Sequence, residues 1–170
     1  YIVEEAISAG IESILIITSG RYEFRNKGID LFIKTMGELN KAADLGRPVV
    51  ALIMVPAYQS GPRQDLIARL GKPDFNHPLH EEYLTHGLHE PENDLILNSI
   101  RENNLMNGTE DKVKIIFVPA YLNGQDGIFN LSYYDLLIGV DGSLFPSYYE
   151  PWGYTPLESL AFHIPTITTT

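Results

Sequence analysis

Two carboxylates, Glu150 and Glu158, stand eight positions apart in Phe145-Pro-Ser-Tyr-Tyr-Glu-Pro-Trp-Gly-Tyr-Thr-Pro-Leu-Glu158, across a turn leading from an apolar segment into a helical one. Pro151 disfavours the α conformation at Glu150 and keeps the chain extended there, so this acid should project from the end of a strand. Thr155-Pro-Leu-Glu158 matches a capping box, with Thr155 at the N-cap, Pro156 at the first helical position and Glu158 at the third. Glu158 can close that helix, or accept hydrogen bonds from ligand hydroxyls with its remaining acceptor sites. Trp152 and Gly153 suit a pocket floor, one giving bulk and the other an accessible N–H. Most of the aromatics Tyr133, Tyr134, Tyr148, Tyr149, Trp152 and Tyr154 are expected in a core.

The acids have no cation nearby in sequence. The last Lys or Arg is Lys114, whereas Arg21, Arg25 and Lys27 crowd into seven residues near the start. If the Glu150 region binds a phosphorylated ligand, the positive charge must come from the opposite end of the chain. Arg21 and Lys27 flank the start of a helix, where free N–H groups and the helix dipole already favour an anion. The bland alternative is a pair of solvated charges beside Glu23 and Asp30, worth only about 0–1 kcal/mol.

The net charge of −10 gives no broad positive patch, so neither a nucleic-acid nor an anionic-membrane partner is expected. There is no cysteine, hence no disulfide or thiolate metal site. His77, His80, His86 and His89 lie near Glu81, Glu82 and Glu90, but without a helical or finger-like frame, and read as a polar segment rather than a metal site. No metal and no cofactor are expected. Asn107-Gly-Thr109 and Asn130-Leu-Ser132 match the N-glycosylation pattern, a three-residue signal that arises by chance. No apolar run approaches the roughly 18 residues of a membrane span, and a cytoplasmic location is expected.

Positioning these residues requires a scaffold. Ser13–Thr18, Val49–Val55, Lys114–Val118, Ser143–Phe145 and Thr166–Thr169 read as strands, most of them continuously apolar. Between them the spacing predicts helices at Ile29–Leu39, Glu92–Asn107, Ser132–Ile138 and Thr155–Phe162. Residues 59–90 lack a period and are expected to hold short helical pieces and loops, as an insertion. Apolar strands alternating with helices imply an α/β fold, one parallel sheet with helices on both faces, whose ligands bind beyond the carboxyl ends of the strands. The composition fits one domain over residues 1–170, read as a piece of a longer chain.

Ser19-Gly-Arg-Tyr-Glu-Phe-Arg-Asn-Lys-Gly28 and the Phe145–Glu158 run resemble the donor-site motifs of glycogen synthases of the fungal and animal type, a family with bacterial members. Asn93–Asn98, Lys112–Phe117 and Ile164–Thr169 fit the same family, whereas residues 59–90 do not. The resemblance implies a retaining UDP-glucose glucosyltransferase that extends α-1,4-glucan (glycogen). It also implies a GT-B arrangement of two Rossmann-like domains, of which this chain is the C-terminal, nucleotide-sugar-binding one, facing an N-terminal domain of the same protein. On that basis Arg21 and Lys27 hold the phosphates, Glu150 lies near the transferred glucose and Glu158 on the ribose. Tyr133 stacks on uracil, and Trp152, Gly153, Tyr154 and Thr155 surround glucose and phosphates. An ADP-glucose-dependent, starch-synthase-like enzyme and a non-catalytic nucleotide-sugar-binding module are the alternatives. The family's eukaryotic members carry a longer insertion at 59–90 for tetramer contacts and a later Arg-rich helix that senses glucose 6-phosphate. Neither property is expected of this piece, which alone should bind UDP without turnover.

Overall fold

The computed structural model describes residues 12–42, 44–72 and 79–169. Strand β1 (Ile14–Ser19) is followed by helix α1 (Ile29–Asn40) and strand β2 (Val49–Met54). The next connection carries strand β3 (Gln59–Pro62), a single turn α2 (Gln64–Ile67), strand β4 (His86–Leu88) and a 3-10 turn at Pro91–Asn93. Then come α3 (Leu95–Glu102), β5 (Val113–Val118), α4 (Tyr133–Leu137), β6 (Gly142–Phe145), α5 (Tyr154–Ala161) and β7 (Thr166–Thr168).

Five of the strands pair in parallel in the order β5-β2-β1-β6-β7. Every residue of β2 is buried, as a strand covered on both faces requires. Its alternate residues divide the core. Val49, Ala51 and Ile53 face Phe32, Ile33 and Met36 of α1 and Ile96 and Ile100 of α3. Val50, Leu52 and Met54 cluster with Ile17, Leu137 of α4 and Ile164. Burying one such side chain is worth about 1.5–3 kcal/mol. Ser143 is in register with Ile17 and so shares the second face. There Ser159 of α5, fully buried, donates to Ser143 Oγ at 2.8 Å, which places α5 on the α4 side. The sheet is therefore Rossmann-like, with helices on both faces, as the apolar pattern predicts.

The chain winds outward from β1 through β2 to β5, then returns to lay β6 on the other side of β1. Connections from β1 and β6 diverge, and the crevice beyond their carboxyl ends is where open parallel sheets take ligands. Ser19–Gly28 and Pro146–Gly153 both leave the sheet there.

Two expectations need correction. The helix predicted over 92–107 spans only Leu95–Glu102, starting from Asp94, whose Oδ1 accepts Leu97 N–H at 2.8 Å. It stops where Asn104, just past the C-cap, takes positive φ (56°), and Asn107 does so again at 59°. The Asn107 amide then exchanges two 2.8 Å bonds with the backbone of Ile115, pinning this segment to β5. With its side chain buried and both ends used, Asn107 is no glycan acceptor. In the 59–90 stretch the surprise is an antiparallel hairpin, β3 with β4. Tyr83–Thr85 docks along β5, with Phe117 N–H on Tyr83 O (2.6 Å) and Thr85 N–H on Phe117 O (3.1 Å), which covers an otherwise open sheet edge.

Candidate functional site

The loops leaving β1 and β6 are built as one unit. Gly28 takes φ 64°, and a Cβ there would lie 1.9 Å from the carbonyl oxygen of Pro146, so only glycine lets the two backbones meet. The Asn26 carbonyl accepts from Tyr148 N–H (2.9 Å) and Tyr149 N–H (3.3 Å). This union brings the N-terminal cations to the acids. Lys27 Nζ lies 2.5 Å from Glu150 Oε2, with both side chains mostly buried. Ser147 Oγ also donates to Oε2, and Gly153 N–H to Oε1, each at 3.3 Å. Burial pushes the Glu150 carboxyl up, but the Lys27 hydrogen bond and charge, with the Gly153 and Ser147 donors, hold it below its ordinary value.

Arg21 is exposed and makes no side-chain hydrogen bond or ion pair among the described residues. It follows Gly20, which lines a groove of about 260 Å³ with Ser19, Met54, Ala120, Tyr133 and Thr155. Tyr133 is half-buried on that wall, its hydroxyl 2.9 Å from Ser19 Oγ. Burial raises its phenol, Ser19 opposes the shift, and the Glu158 charge adds to it.

The capping box is not formed. Gly153 is the N-cap, in left-handed conformation at φ 65°, and no side chain caps the helix. Starting at Tyr154 makes Thr155 the second helical residue and Glu158 the fifth, a turn too far to reach back. Glu158 Oε1 instead accepts from the Tyr134 hydroxyl at 3.0 Å. That hydrogen bond, ahead of the Glu158 charge, raises the Tyr134 phenol. The Tyr134 ring stacks on Phe162, centroids 5.5 Å apart and planes at 2°. The N-cap Gly153 N–H is taken by Glu150 Oε1 and Pro156 has none to give, so the first turn of α5 leaves the Tyr154 and Thr155 N–H groups, where the helix dipole favours an anion.

The expectation that most of the six aromatics pack a core is overturned. Only Tyr133 is half-buried; Tyr134, Tyr148 and Tyr149 are exposed, as are Trp152 (75%) and Tyr154 (68%). Neither Trp152 nor Tyr154 lines the groove beside Tyr133, so Trp152 is a projecting ring and not a floor. Lys27, Glu150 and Gly153 thus form one bonded cluster, Tyr133 and Thr155 share the groove wall, and Glu158 sits with Tyr134. Sequence reasoning missed Ser147, Asn26 and Tyr134 as partners; each uses a common polar residue whose contact appears only once the loops meet.

The histidines are dispersed. His86 is buried, with Nδ1 2.8 Å from Thr85 Oγ1 and Nε2 2.8 Å from the Asp126 carbonyl oxygen. His89 packs on Tyr58 with centroids 4.2 Å apart, and His80 is exposed. His77 lies outside the described residues. Among the described residues no three His, Cys, Asp or Glu side chains group as metal ligands.

The sequence is similar to those of known proteins. Residues 78–170 fit the family model described as glycogen synthase. The glycogen [starch] synthase of Neurospora crassa is 33% identical over 92% of this chain and 30% of its own length. Isoform 2 of the Saccharomyces cerevisiae glycogen [starch] synthase is 30% identical over 92% of this chain and 31% of its length. The liver glycogen [starch] synthase of Rattus norvegicus is 27% identical over 93% of this chain. The chain thus spans about 30% of the length of these relatives. The matched span includes the Glu150 loop and α5, and on this evidence the chain belongs to the glycogen synthase family.

Proposed function

We propose that this chain is the nucleotide-sugar-binding half of a cytoplasmic, retaining glucosyltransferase that moves glucose from UDP-glucose onto α-1,4-glucan. The observation carrying the reading is the junction at the switch point, where Arg21, whose side chain has no bonded partner among the described residues, the Lys27–Glu150 pair and the start of α5 lie at the ends of β1 and β6. Arg21 and the α5 N–H groups supply positive potential for a diphosphate, with no metal called for. Tyr133 offers a ring face to the base, and Glu158, ordered by Tyr134, accepts from ribose hydroxyls. Trp152 and Tyr154 are free to close over the sugar.

As glucose leaves UDP it acquires oxocarbenium character, and the leaving diphosphate oxygen needs charge stabilisation from Arg21 and Lys27. Glu150, ionised and holding three donors on its two oxygens, is suited to position the sugar and stabilise positive charge rather than to attack it. Departure of UDP and entry of the acceptor on one face then retains configuration, with the acceptor carried by an N-terminal domain of the same protein.

The test is glucose transfer to glycogen by the full-length protein, with UDP-glucose and ADP-glucose compared. Preference for UDP-glucose is expected. Equal or better use of ADP-glucose would favour a starch-synthase-like donor choice, and binding without transfer would make this a sugar-nucleotide-binding module.

A further inference from the structure

A second groove opens at the same edge of the sheet and serves no part of the donor site. It has a volume of about 510 Å³, within the range of ligand sites, and lies between the chain leaving β2, the end of β4 and the start of α3. Its floor is apolar, from Pro56, Ala57 and Leu88, and Pro56 also lines the groove beside Tyr133. The two openings are therefore neighbours. Tyr58, 74% exposed, forms one wall with its ring braced on His89. Its place is fixed by the hairpin, since His89 N–H donates to the Tyr58 carbonyl at 3.1 Å.

The polar rim divides into fixed and free groups. Asp94 accepts from the Tyr22 hydroxyl at 2.7 Å and from Leu97 N–H, so both its oxygens are used. The bond ties the groove to Tyr22, the neighbour of Arg21. Glu90 and Asn93 are exposed, and their side chains make no hydrogen bond or ion pair among the described residues. Among the described residues no Lys or Arg lines the groove, so its lining does not favour an anion. A braced aromatic face, an apolar floor and planar acceptor and donor groups at the rim match a neutral polyol with apolar C–H faces.

We infer that this second groove is a sugar subsite that holds a stretch of α-glucan beside the donor groove. The inference deepens the glucosyltransferase reading and rests on it. A glucan lying across Tyr58 and reaching past Pro56 would bring its end towards the position of the transferred glucose, so the groove would set acceptor affinity and leave donor affinity alone.

The probe is maltoheptaose, titrated by calorimetry into the full-length protein saturated with UDP, for wild type, Tyr58→Ala and Asn93→Ala. Both side chains are exposed, and unchanged melting temperatures would confirm intact folds. Loss of the ring should weaken maltoheptaose about three- to tenfold and raise KM for glycogen by a similar factor, with kcat and UDP affinity unchanged. Wild-type affinity in both variants would overturn the inference. So would weakened UDP binding in Tyr58→Ala, which would assign the groove to the donor. Shielding of Tyr58 from nitration before any glucan is added would show the groove covered by the rest of the protein, and would also overturn it. Failure of the wild-type protein to bind UDP would defeat the donor-site reading instead, while Tyr58-dependent maltoheptaose binding would still support the groove.

Discussion

The loops leaving β1 and β6 are tied to each other by backbone bonds, a glycine contact and an ion pair, whereas the rings of Tyr148, Tyr149, Trp152 and Tyr154 are exposed and make no side-chain hydrogen bond among the described residues. Both regions belong to one candidate site, so the contrast divides its labour. The charged half is organised before any ligand arrives, which lowers the ordering cost of binding a diphosphate. The half that would meet base and sugar keeps its rings in water, and its order must come from the ligand.

The strongest way to break this contrast is to part the loops. Gly28→Ala combines an unfavourable φ with a Cβ inside the Pro146 carbonyl, and should cost about 3 kcal/mol or more in thermal unfolding. A loss below about 1 kcal/mol would mean that the loops move apart freely and are not a rigid unit.

Lys27→Met probes the ion pair and should destabilise by about 1–3 kcal/mol, because Glu150 loses its main partner while remaining mostly buried. Glu150 is held below its ordinary value of 4.5, so its contribution is full above that pH and is lost as pH falls through the lower folded value. Acid titration of stability should therefore show a component below pH 4.5 that is missing in Glu150→Gln. Identical acid profiles would show that the pair contributes nothing.

On the open side effects should shrink. Tyr134→Phe removes the donor to Glu158 and should change stability by less than about 1 kcal/mol while weakening UDP a fewfold. Equal weakening of 2′,3′-dideoxy-UDP would show that Glu158 does not act through the ribose. Trp152→Ala, at an exposed site, should stay within about 0.5 kcal/mol of wild type in unfolding. A larger loss would show that its ring packs against the domain after all.

The sequence was most legible where one signal dominates. β1, β2 and β5 are apolar runs that only a two-sided sheet explains, and all three lie within a residue or so of the predicted bounds. Helix α3 was overextended because Asn104 takes a left-handed backbone conformation that spacing does not reveal. The β3–β4 hairpin was illegible: Gln-Ser-Gly-Pro and His-Gly-Leu carry no alternation, and their pairing closes a long loop. In the site, the lack of any cation after Lys114 pointed to the other end of the chain for positive charge, and Lys27 from that end reaches Glu150. The Thr155–Glu158 pattern misled because Gly153, not Thr155, starts the helix. The aromatics misled because an exposed ring and a ring in a core look alike in sequence.

The central claim is that the end of β1 supplies the diphosphate cation, and Arg21 tests it most directly because its side chain is exposed and makes no hydrogen bond or ion pair among the described residues. Calorimetric titration of UDP into the full-length protein should show at least about tenfold weaker binding in Arg21→Ala, with unfolding unchanged. Equal affinity in the two proteins would place the diphosphate elsewhere and contradict the account.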